Sequence, residues 1–303
     1  MSQPIVIDTM MHGRPAVTGC FVVRGEGRTA LIETGPKSCI GDVLAGLDDG
    51  GVETIEWIIV THIHLDHAGA AGTLAQRFPS ARIGVHPVGA PHLVDPRKLW
   101  SSARRIYGDR MDELWGGIDP VSEDRITVLS HGDTVDLGDR TLVAIETPGH
   151  ASHHHAFLDS ATGALFAGDA LGVRLRDVGL VRPATPPPEF DLERAIESIH
   201  RIIEARPTRL FFTHFGSDDS VGVDETCDEA IAALRTWEGW VRKVREETDD
   251  LDAAAALVRD QARDSLEEGL TGDQIDRMDQ TTSYWMNTWG YMRYLSKREQ
   301  SAP

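Results

Sequence analysis

The chain has few cysteines and no long apolar run. Only Cys20, Cys39 and Cys227 occur among its 303 residues. Their wide spacing fits neither a zinc knuckle nor a disulfide framework, so a reducing cytoplasm is the expected location. No apolar stretch approaches the roughly 20 residues that a helix needs to span a bilayer. The N-terminal residues lack a basic segment followed by an apolar one, so we expect no signal peptide and no membrane partner.

Positive charge is also scarce. The 30 Lys and Arg residues face 48 Asp and Glu residues, which gives a formal net charge of −18. A field of that sign repels phosphate backbones, so we expect no nucleic-acid partner. The 41% hydrophobic and 26% charged fractions are ordinary for a globular protein. A chain of this length can bury a large core.

Against these absences, one short run is dense in metal-ligand side chains. It reads T-H-I-H-L-D-H-A-G over Thr61–Gly69. His62 and His64 are two residues apart, so in an extended segment both side chains face the same way. Asp66 keeps that phase, and His67 lies where a helix is expected to begin. Imidazole and carboxylate ligands suit zinc and also iron or manganese, and the run holds no cysteine that would select a soft site.

Three further ligand-type residues follow predicted strands or turns, in Pro148-Gly149-His150, Gly168-Asp169 and Thr213-His214. Together with the H-x-H-x-D-H run, they resemble the hallmark of the metallo-β-lactamase superfamily. The resemblance covers roughly the first 218 residues. The extended run T-H-I-H-L-D-H-A-G-A-A-G is most similar to the glyoxalase II and lactonase branches of that superfamily.

The resemblance implies two divalent metal ions, most readily Zn²⁺, with Fe or Mn also open. Asp66 is implied to act catalytically as well, by orienting a metal-bound hydroxide and moving its proton. The resemblance implies that His62, His64 and His150 hold one ion. It implies that Asp66, His67 and His214 hold the other, and that Asp169 bridges the two.

The pattern of strands and helices predicts an α/β fold with a faint internal repeat. The strand-Thr-His unit at Trp57–His62 resembles the one at Arg209–His214. Two like halves that pack sheet to sheet, with helices outside, give a four-layer αββα sandwich. The fold of the superfamily is the same sandwich. We therefore predict a metallo-β-lactamase-like domain over 1–218, with a helical insertion at about 91–117.

Residues 219–303 are expected to form a helical accessory region. The predicted helices are Asp224–Arg245, Leu251–Leu266 and Gly272–Lys297. The region is rich in Trp and Tyr, which suits packing on the sandwich or a homodimer interface. The aromatic insertion at 91–117 is equally compatible with a lid or pocket wall and with ordinary packing.

Other polar residues carry weaker predictions. His154 is expected to support the metal ligands from behind, and Glu33 stands where the superfamily usually has a structural Asp. Tyr107, Arg174 and Arg176 are candidate contacts of a small-molecule substrate, and a solvated loop is an equally good account of the two arginines. Arg182 is a further candidate contact of the substrate. Three other histidines are expected to have no special role: His86, His92 and His131.

The function that these features favour is hydrolysis of a thioester, lactone or other ester. A hydroxide held by both metals would attack the carbonyl carbon while a metal holds the oxyanion. Asp169 argues against the true β-lactamases, which generally lack an acidic bridging ligand, and the negative charge argues against nucleases. Two alternatives stay open, a non-hydrolytic di-iron protein that binds oxygen or nitric oxide, and a phosphodiester hydrolase. His64 weakens the first, because di-iron electron-transfer members usually have Glu there.

Overall fold

A computed structural model describes residues 2–217 and 219–301, and these ranges contain eleven strands and eleven α-helices. The strands are β1 (Ile5–Asp8), β2 (Gly19–Arg24), β3 (Thr29–Ile32), β4 (Trp57–Ile59), β5 (Arg82–Val85), β6 (Ile126–Val128), β7 (Thr134–Asp136), β8 (Thr141–Glu146), β9 (His155–Asp159), β10 (Ala164–Gly168) and β11 (Arg209–Phe212). The helices are α1 (Ile40–Asp49), α2 (Leu65–Ala68), α3 (Ala71–Arg77), α4 (Ala90–Val94), α5 (Arg97–Tyr107), α6 (Met111–Trp115), α7 (Leu192–Glu204), α8 (Val223–Val244), α9 (Leu251–Ser265), α10 (Gly272–Thr281) and α11 (Tyr284–Ser301).

The strands form two sheets. The first has the order β1-β2-β3-β4-β5-β6 and the second the order β11-β10-β9-β8-β7. In the first sheet β3 to β6 run parallel. In the second, β8 and β10 are both antiparallel to β9, and β11 is parallel to β10. The strands β8, β10 and β11 therefore point the same way, and their carboxyl ends meet at one edge.

Successive residues of a strand face two different cores, as the period of two requires. In β2, Phe21 and Val23 belong to the core between the sheets, whereas Cys20 and Val22 face helices on the outside. The outer core of the first sheet includes residues of α1 and α3, and that of the second includes residues of α7, α8, α9 and α11. Helices thus cover both outer faces, and the predicted αββα sandwich is confirmed.

The C-terminal helices match the prediction except at one point. The predicted helix Gly272–Lys297 is two helices, α10 and α11, with Thr282 and Ser283 between them. The Ser283 side chain accepts a hydrogen bond from the Met286 backbone N–H at 3.1 Å, which caps the start of α11. The sequence pattern does not predict two short strands, β1 and β7. The predicted boundary at 218/219 includes residue 218, which lies outside the described residues, so that division stays a prediction.

A buried arginine joins the C-terminal helices to the sandwich. Arg182 is 2% exposed, and its guanidinium pairs with Asp279 at 2.6 Å and with Glu267. It also donates to the Tyr284 hydroxyl at 3.1 Å and to the Thr282 carbonyl at 3.1 Å. Arg182 is therefore a structural residue, and the expectation that it faces a substrate is wrong.

No helix among residues 2–217 and 219–301 has both the length and the apolar character that crossing a bilayer would need.

The Arg182 network yields a stability prediction. Arg182→Met should lower the free energy of unfolding by about 3–5 kcal/mol, because Glu267 would keep a buried charge without its cation. Urea unfolding followed by circular dichroism measures the change. The control is Arg298→Met, whose partner Glu193 is exposed, and it should hardly move the midpoint. Equal effects of the two substitutions would contradict the structural role of Arg182.

Candidate metal centre and its cavity

The predicted metal ligands lie together, although they come from distant parts of the chain. His62 to His67 follow β4, and His150, Asp169 and His214 follow β8, β10 and β11. These four strands end at the same edge of the sandwich, so their loops converge there. Loops on a rigid sheet edge are where proteins commonly place functional side chains.

Three ring nitrogens form the first ligand set. The Nδ1 atom of His64 lies 2.9 Å from the Nε2 atom of His62 and 2.9 Å from the Nε2 atom of His150. The Nδ1 of His150 donates to the Ala184 carbonyl at 2.8 Å, which leaves the lone pair on Nε2 for a cation. The three nitrogens therefore present their electron pairs to one shared point.

The second ligand set contains two nitrogens and two carboxylate oxygens. His67 Nε2 lies 3.6 Å from an Asp66 oxygen and 3.5 Å from Asp169 Oδ1. His214 Nε2 lies 3.5 Å from each of the same two oxygens. The other Asp169 oxygen, Oδ2, lies 3.5 Å from His150 Nε2 in the first set. Asp169 thus faces both sets, as a bridging ligand must.

The spacing of the second set fits a metal ion. Ligands at about 2.0–2.2 Å from a tetrahedral zinc ion lie roughly 3.3–3.6 Å from one another. Within the described residues, His67 Nε2, His214 Nε2 and Asp169 Oδ1 are buried and lack a hydrogen-bond partner. Buried polar atoms are normally paired, so three unpaired ones around a common point indicate a site for a cation. The residues present therefore fit the predicted group.

Carbonyl and carboxylate acceptors behind the ligands fix their ring orientation. His67 Nδ1 donates to Glu33 at 3.0 Å, and His214 Nδ1 donates to the Val17 carbonyl at 2.9 Å. Both contacts direct the Nε2 lone pair toward the second set. Such partners raise the basicity of a ligating histidine and hold its tautomer.

Glu33 is the important residue that the candidate ligand set omits. Besides His67, its carboxylate accepts hydrogen bonds from the Thr61 hydroxyl at 2.6 Å and the Thr213 hydroxyl at 3.1 Å. Thr61 and Thr213 are the equivalent threonines of the two strand-Thr-His units. The sequence carries a signal, because Glu33 stands where the superfamily usually has a structural Asp, but nothing in it predicts that Glu33 joins both halves.

His154 supports Asp169 from behind. Its Nε2 accepts a hydrogen bond from the Asp169 backbone N–H at 3.0 Å, so the ring proton is on Nδ1, which donates to Thr147 at 2.7 Å. The preceding residue, Gly168, has φ of +53°, and a Cβ atom there would lie 2.6 Å from the His154 ring. Glycine is therefore required for this close approach.

The electrostatics of the second set favour added positive charge. Burial would raise the pKa of Asp169, but His67 and His214 hold it well below its ordinary value. Burial would lower the pKa of His67, yet Asp169, Asp66 and Glu33 together raise it well above 6.5. In the first set, burial and neighbouring imidazoles lower the pKa of His62, which keeps it neutral. A cation that enters the second set would displace the proton of His67, because neutral imidazoles and ionised carboxylates are the forms that bind metals.

A cavity of about 510 Å³ opens on the ligands. Its floor includes Asp66, His150 and Asp169, and its walls come from the insertion, from the segment 184–189 and from the start of α11. The wall residues that are apolar or aromatic include Ile63, Leu65, Val88, Leu99, Ala103, Ile106, Tyr107, Trp115, Pro186, Pro187, Pro188 and Met286. The insertion at 91–117 therefore lies at the pocket as a wall.

The predicted substrate contacts divide into two groups. Tyr107 lines the cavity, where burial and the nearby Asp66 raise its pKa so that it keeps its hydroxyl proton. Arg174 is buried and pairs with Glu229 of α8, and Arg176 is exposed; neither lines the cavity. Arg174 turns to α8 and Arg176 faces solvent, so a substrate contact at either arginine stays a prediction that this cavity does not support.

Comparison with known proteins gives a consistent result. The model of the metallo-beta-lactamase superfamily matches residues 13–214. The metallo-beta-lactamase fold-containing protein ST1585 of Sulfurisphaera tokodaii is 31% identical over 206 residues, which cover 67% of this chain and 74% of that protein. A crystal structure of ST1585, from Sulfolobus tokodaii, superposes with a TM-score of 0.69 at 23% identity, covering 96% of this chain and 97% of the other.

Two further relatives differ in chemistry. A hydroxyacylglutathione hydrolase of Hyphomonas neptunium is 28% identical over 228 residues, which cover 74% of this chain and 71% of that protein. A coenzyme F420H(2) oxidase of Methanothermobacter marburgensis is 29% identical over 160 residues, which cover 51% of this chain but only 34% of the oxidase. The second similarity therefore concerns one part of a much longer protein.

Because Asp169 faces both ligand sets, its replacement tests the metal centre. Asp169→Ala should reduce the metal held by the two ligand sets from two ions per chain to at most one, because both sets lose an oxygen. Metal-dependent activity should fall by more than about 100-fold, since even the loss of a residue behind a metal ligand typically costs 10–100-fold. Plasma mass spectrometry after dialysis measures the metal. The matched control is Asp264→Ala, an exposed carboxylate on α9. Full metal content and rate in Asp169→Ala would refute the bridging role.

Proposed function

Because the chain belongs to the metallo-β-lactamase superfamily, we propose that it is a hydrolase with a dinuclear zinc centre that acts on a thioester, lactone or other ester. Imidazole and carboxylate ligands suit zinc. The observation that carries this proposal is the pair of ligand sets that share Asp169 at the floor of a cavity. Two cations held there would lower the pKa of a bound water and polarise a carbonyl group.

The chain's own residues have distinct parts in this proposal. His62, His64 and His150 would hold one ion, and Asp66, His67 and His214 the other. The side chain of Asp66 is 17% exposed and lines the cavity, so it can accept a proton from a water molecule and return it to a leaving group. The neighbours His67 and His214 hold the pKa of Asp66 low against the effect of burial, which keeps it ionised for this task.

The cavity walls favour a substrate with an apolar acyl part. Among the described residues that line it, Lys98 is the one lysine or arginine, while Glu189 adds a carboxylate and Asp279 is paired with Arg182. The lining also carries polar side chains, among them Ser102, Gln280 and Asn287, so apolar contact with a substrate is confined to part of the wall. The same walls disfavour a phosphodiester, which would need cations beyond the metals.

The second candidate is a non-hydrolytic di-iron protein that binds oxygen or nitric oxide. The similarity to the coenzyme F420H(2) oxidase favours it, because the matched residues include part of this fold. The candidate is weaker, because this chain covers 71% of the hydroxyacylglutathione hydrolase but only 34% of the oxidase.

A substrate screen on protein of known metal content tests the proposal. Zinc-loaded protein should hydrolyse members of a thioester, lactone and carboxylic-ester panel at rates well above those for a nitrophenyl phosphodiester. It should also be colourless. A coloured iron protein that reacts with oxygen and hydrolyses none of the panel would favour the second candidate. A faster phosphodiester reaction would contradict the choice of a carbonyl substrate.

The apolar wall gives a separate prediction about acyl chain length. Ile106→Ser should lower kcat/KM for an octanoyl ester or thioester by about 5–30-fold, because roughly 1–2 kcal/mol of apolar contact is lost. The acetyl analogue should change by less than about threefold. The control is Leu257→Ser, whose side chain on α9 is 39% exposed and distant from the cavity lining. Equal effects on both chain lengths would mean that Ile106 does not contact the acyl group.

A further inference from the structure

One buried imidazole lies outside the seven ligands and has no partner. His155, on β9, is 0% exposed, and within the described residues neither of its ring nitrogens makes a hydrogen bond. A neutral imidazole has one donor and one acceptor, and buried groups of this kind are nearly always paired. The position therefore calls for a water molecule or a cation beside the ring.

The neighbours of His155 decide between these two. Glu146 is its direct cross-strand partner on β8, and the His86 ring centroid lies 4.7 Å from that of His155. An oxygen of Glu146 lies 3.8 Å from His86 Nε2, and ligand atoms of all three residues lie within 4.8 Å of one another. Two imidazoles and one carboxylate around a common point are a ligand set that zinc takes in proteins, with a fourth place left for water.

We propose that His86, Glu146 and His155 form a third metal site, distinct from the seven-ligand centre, for a divalent cation of the zinc type. His86 follows β5 in the first sheet, whereas Glu146 and His155 belong to β8 and β9 of the second. The cation therefore connects the two sheets of the sandwich. The expectation that His86 is an ordinary histidine gives way to this assignment.

The geometry allows the cation to enter and to be held. The Glu146 side chain is 38% exposed, so it gives access from solvent and is free to move. Zinc ligands lie roughly 3.3–3.6 Å apart, so these ligand atoms, which lie within 4.8 Å of one another, would close in by up to about 1 Å on binding. Burial, followed by His86 and His131, lowers the pKa of His155 to about 3, so its ring is neutral and its lone pair is available.

His86 must change its proton position when the cation binds. Its Nδ1 accepts a hydrogen bond from the Val88 backbone N–H at 3.1 Å, so the ring proton is on Nε2 without metal. Binding through Nε2 moves that proton to Nδ1 and breaks the bond to Val88. Loading should therefore shift the Val88 amide resonance, which is a signature that a bound water would not produce.

Metal counting tests the proposal on the full chain. After dialysis against a fixed excess of free zinc, the wild-type protein should hold three ions, two in the seven-ligand centre and one here. Glu146→Gln and His86→Gln should each hold two, with affinity at the third site at least 10-fold weaker. The matched control is His200→Gln, an exposed histidine on α7, which should hold three.

A second background separates this site from the metal centre. With His67→Ala and Asp169→Ala combined, zinc should still bind here and raise the melting temperature by several degrees. Adding Glu146→Gln should abolish that rise. The proposal is overturned if wild-type protein holds no more zinc than Glu146→Gln, or if Val88 does not respond to zinc; His155 then faces a water molecule. Should the combined variant fail to fold, the counts for the exposed Glu146→Gln substitution decide alone.

Discussion

Buried imidazole nitrogens and carboxylate oxygens lie within 2.9–3.6 Å of one another at one edge of this sandwich. The rest of the structure depends on what stabilises these closely spaced polar atoms. Lone pairs at such distances repel unless a proton or a cation lies between them. The carboxyl ends of four strands bring the groups together, and a cavity gives access to them. The fold thus creates a place where positive charge is stabilised more strongly than in water.

The support behind the ligands is as specific as the ligands themselves. Glu33 adopts a left-handed backbone with φ of +65°, which is unfavourable for a residue other than glycine. Its carboxylate contacts Thr61, His67 and Thr213, and so connects the equivalent units of the two halves. A longer acid than the usual Asp is compatible with the site, because it reaches a ligand and both threonines at once.

Much of the fold and of the centre could be predicted because their signals are local. The two strand-Thr-His units and the spacing of the H-x-H-x-D-H run are local patterns that the periods of strands and turns explain. The sequence does not predict the break between α10 and α11, because it depends on the Ser283 cap and on hydrogen bonds of Thr282 to the distant Arg182 and Pro183. The direction of Arg174 depends on Glu229, 55 residues later, and the pairing of His86 with His155 depends on the contact between two sheets. No local pattern encodes either.

Most of the apolar wall residues and the metal ligands come from different segments of the chain. The insertion and α11 supply the walls, while the strand ends supply the floor. Such a division lets the floor keep one chemistry while the walls choose the substrate. The measurement that tests the account most directly is anomalous diffraction at the zinc edge from crystals of zinc-loaded protein. Apart from the peak expected beside His155, we expect two peaks about 3.5–4 Å apart, one within each ligand set and both beside Asp169. A single peak between the sets, or two peaks away from Asp169, would contradict it.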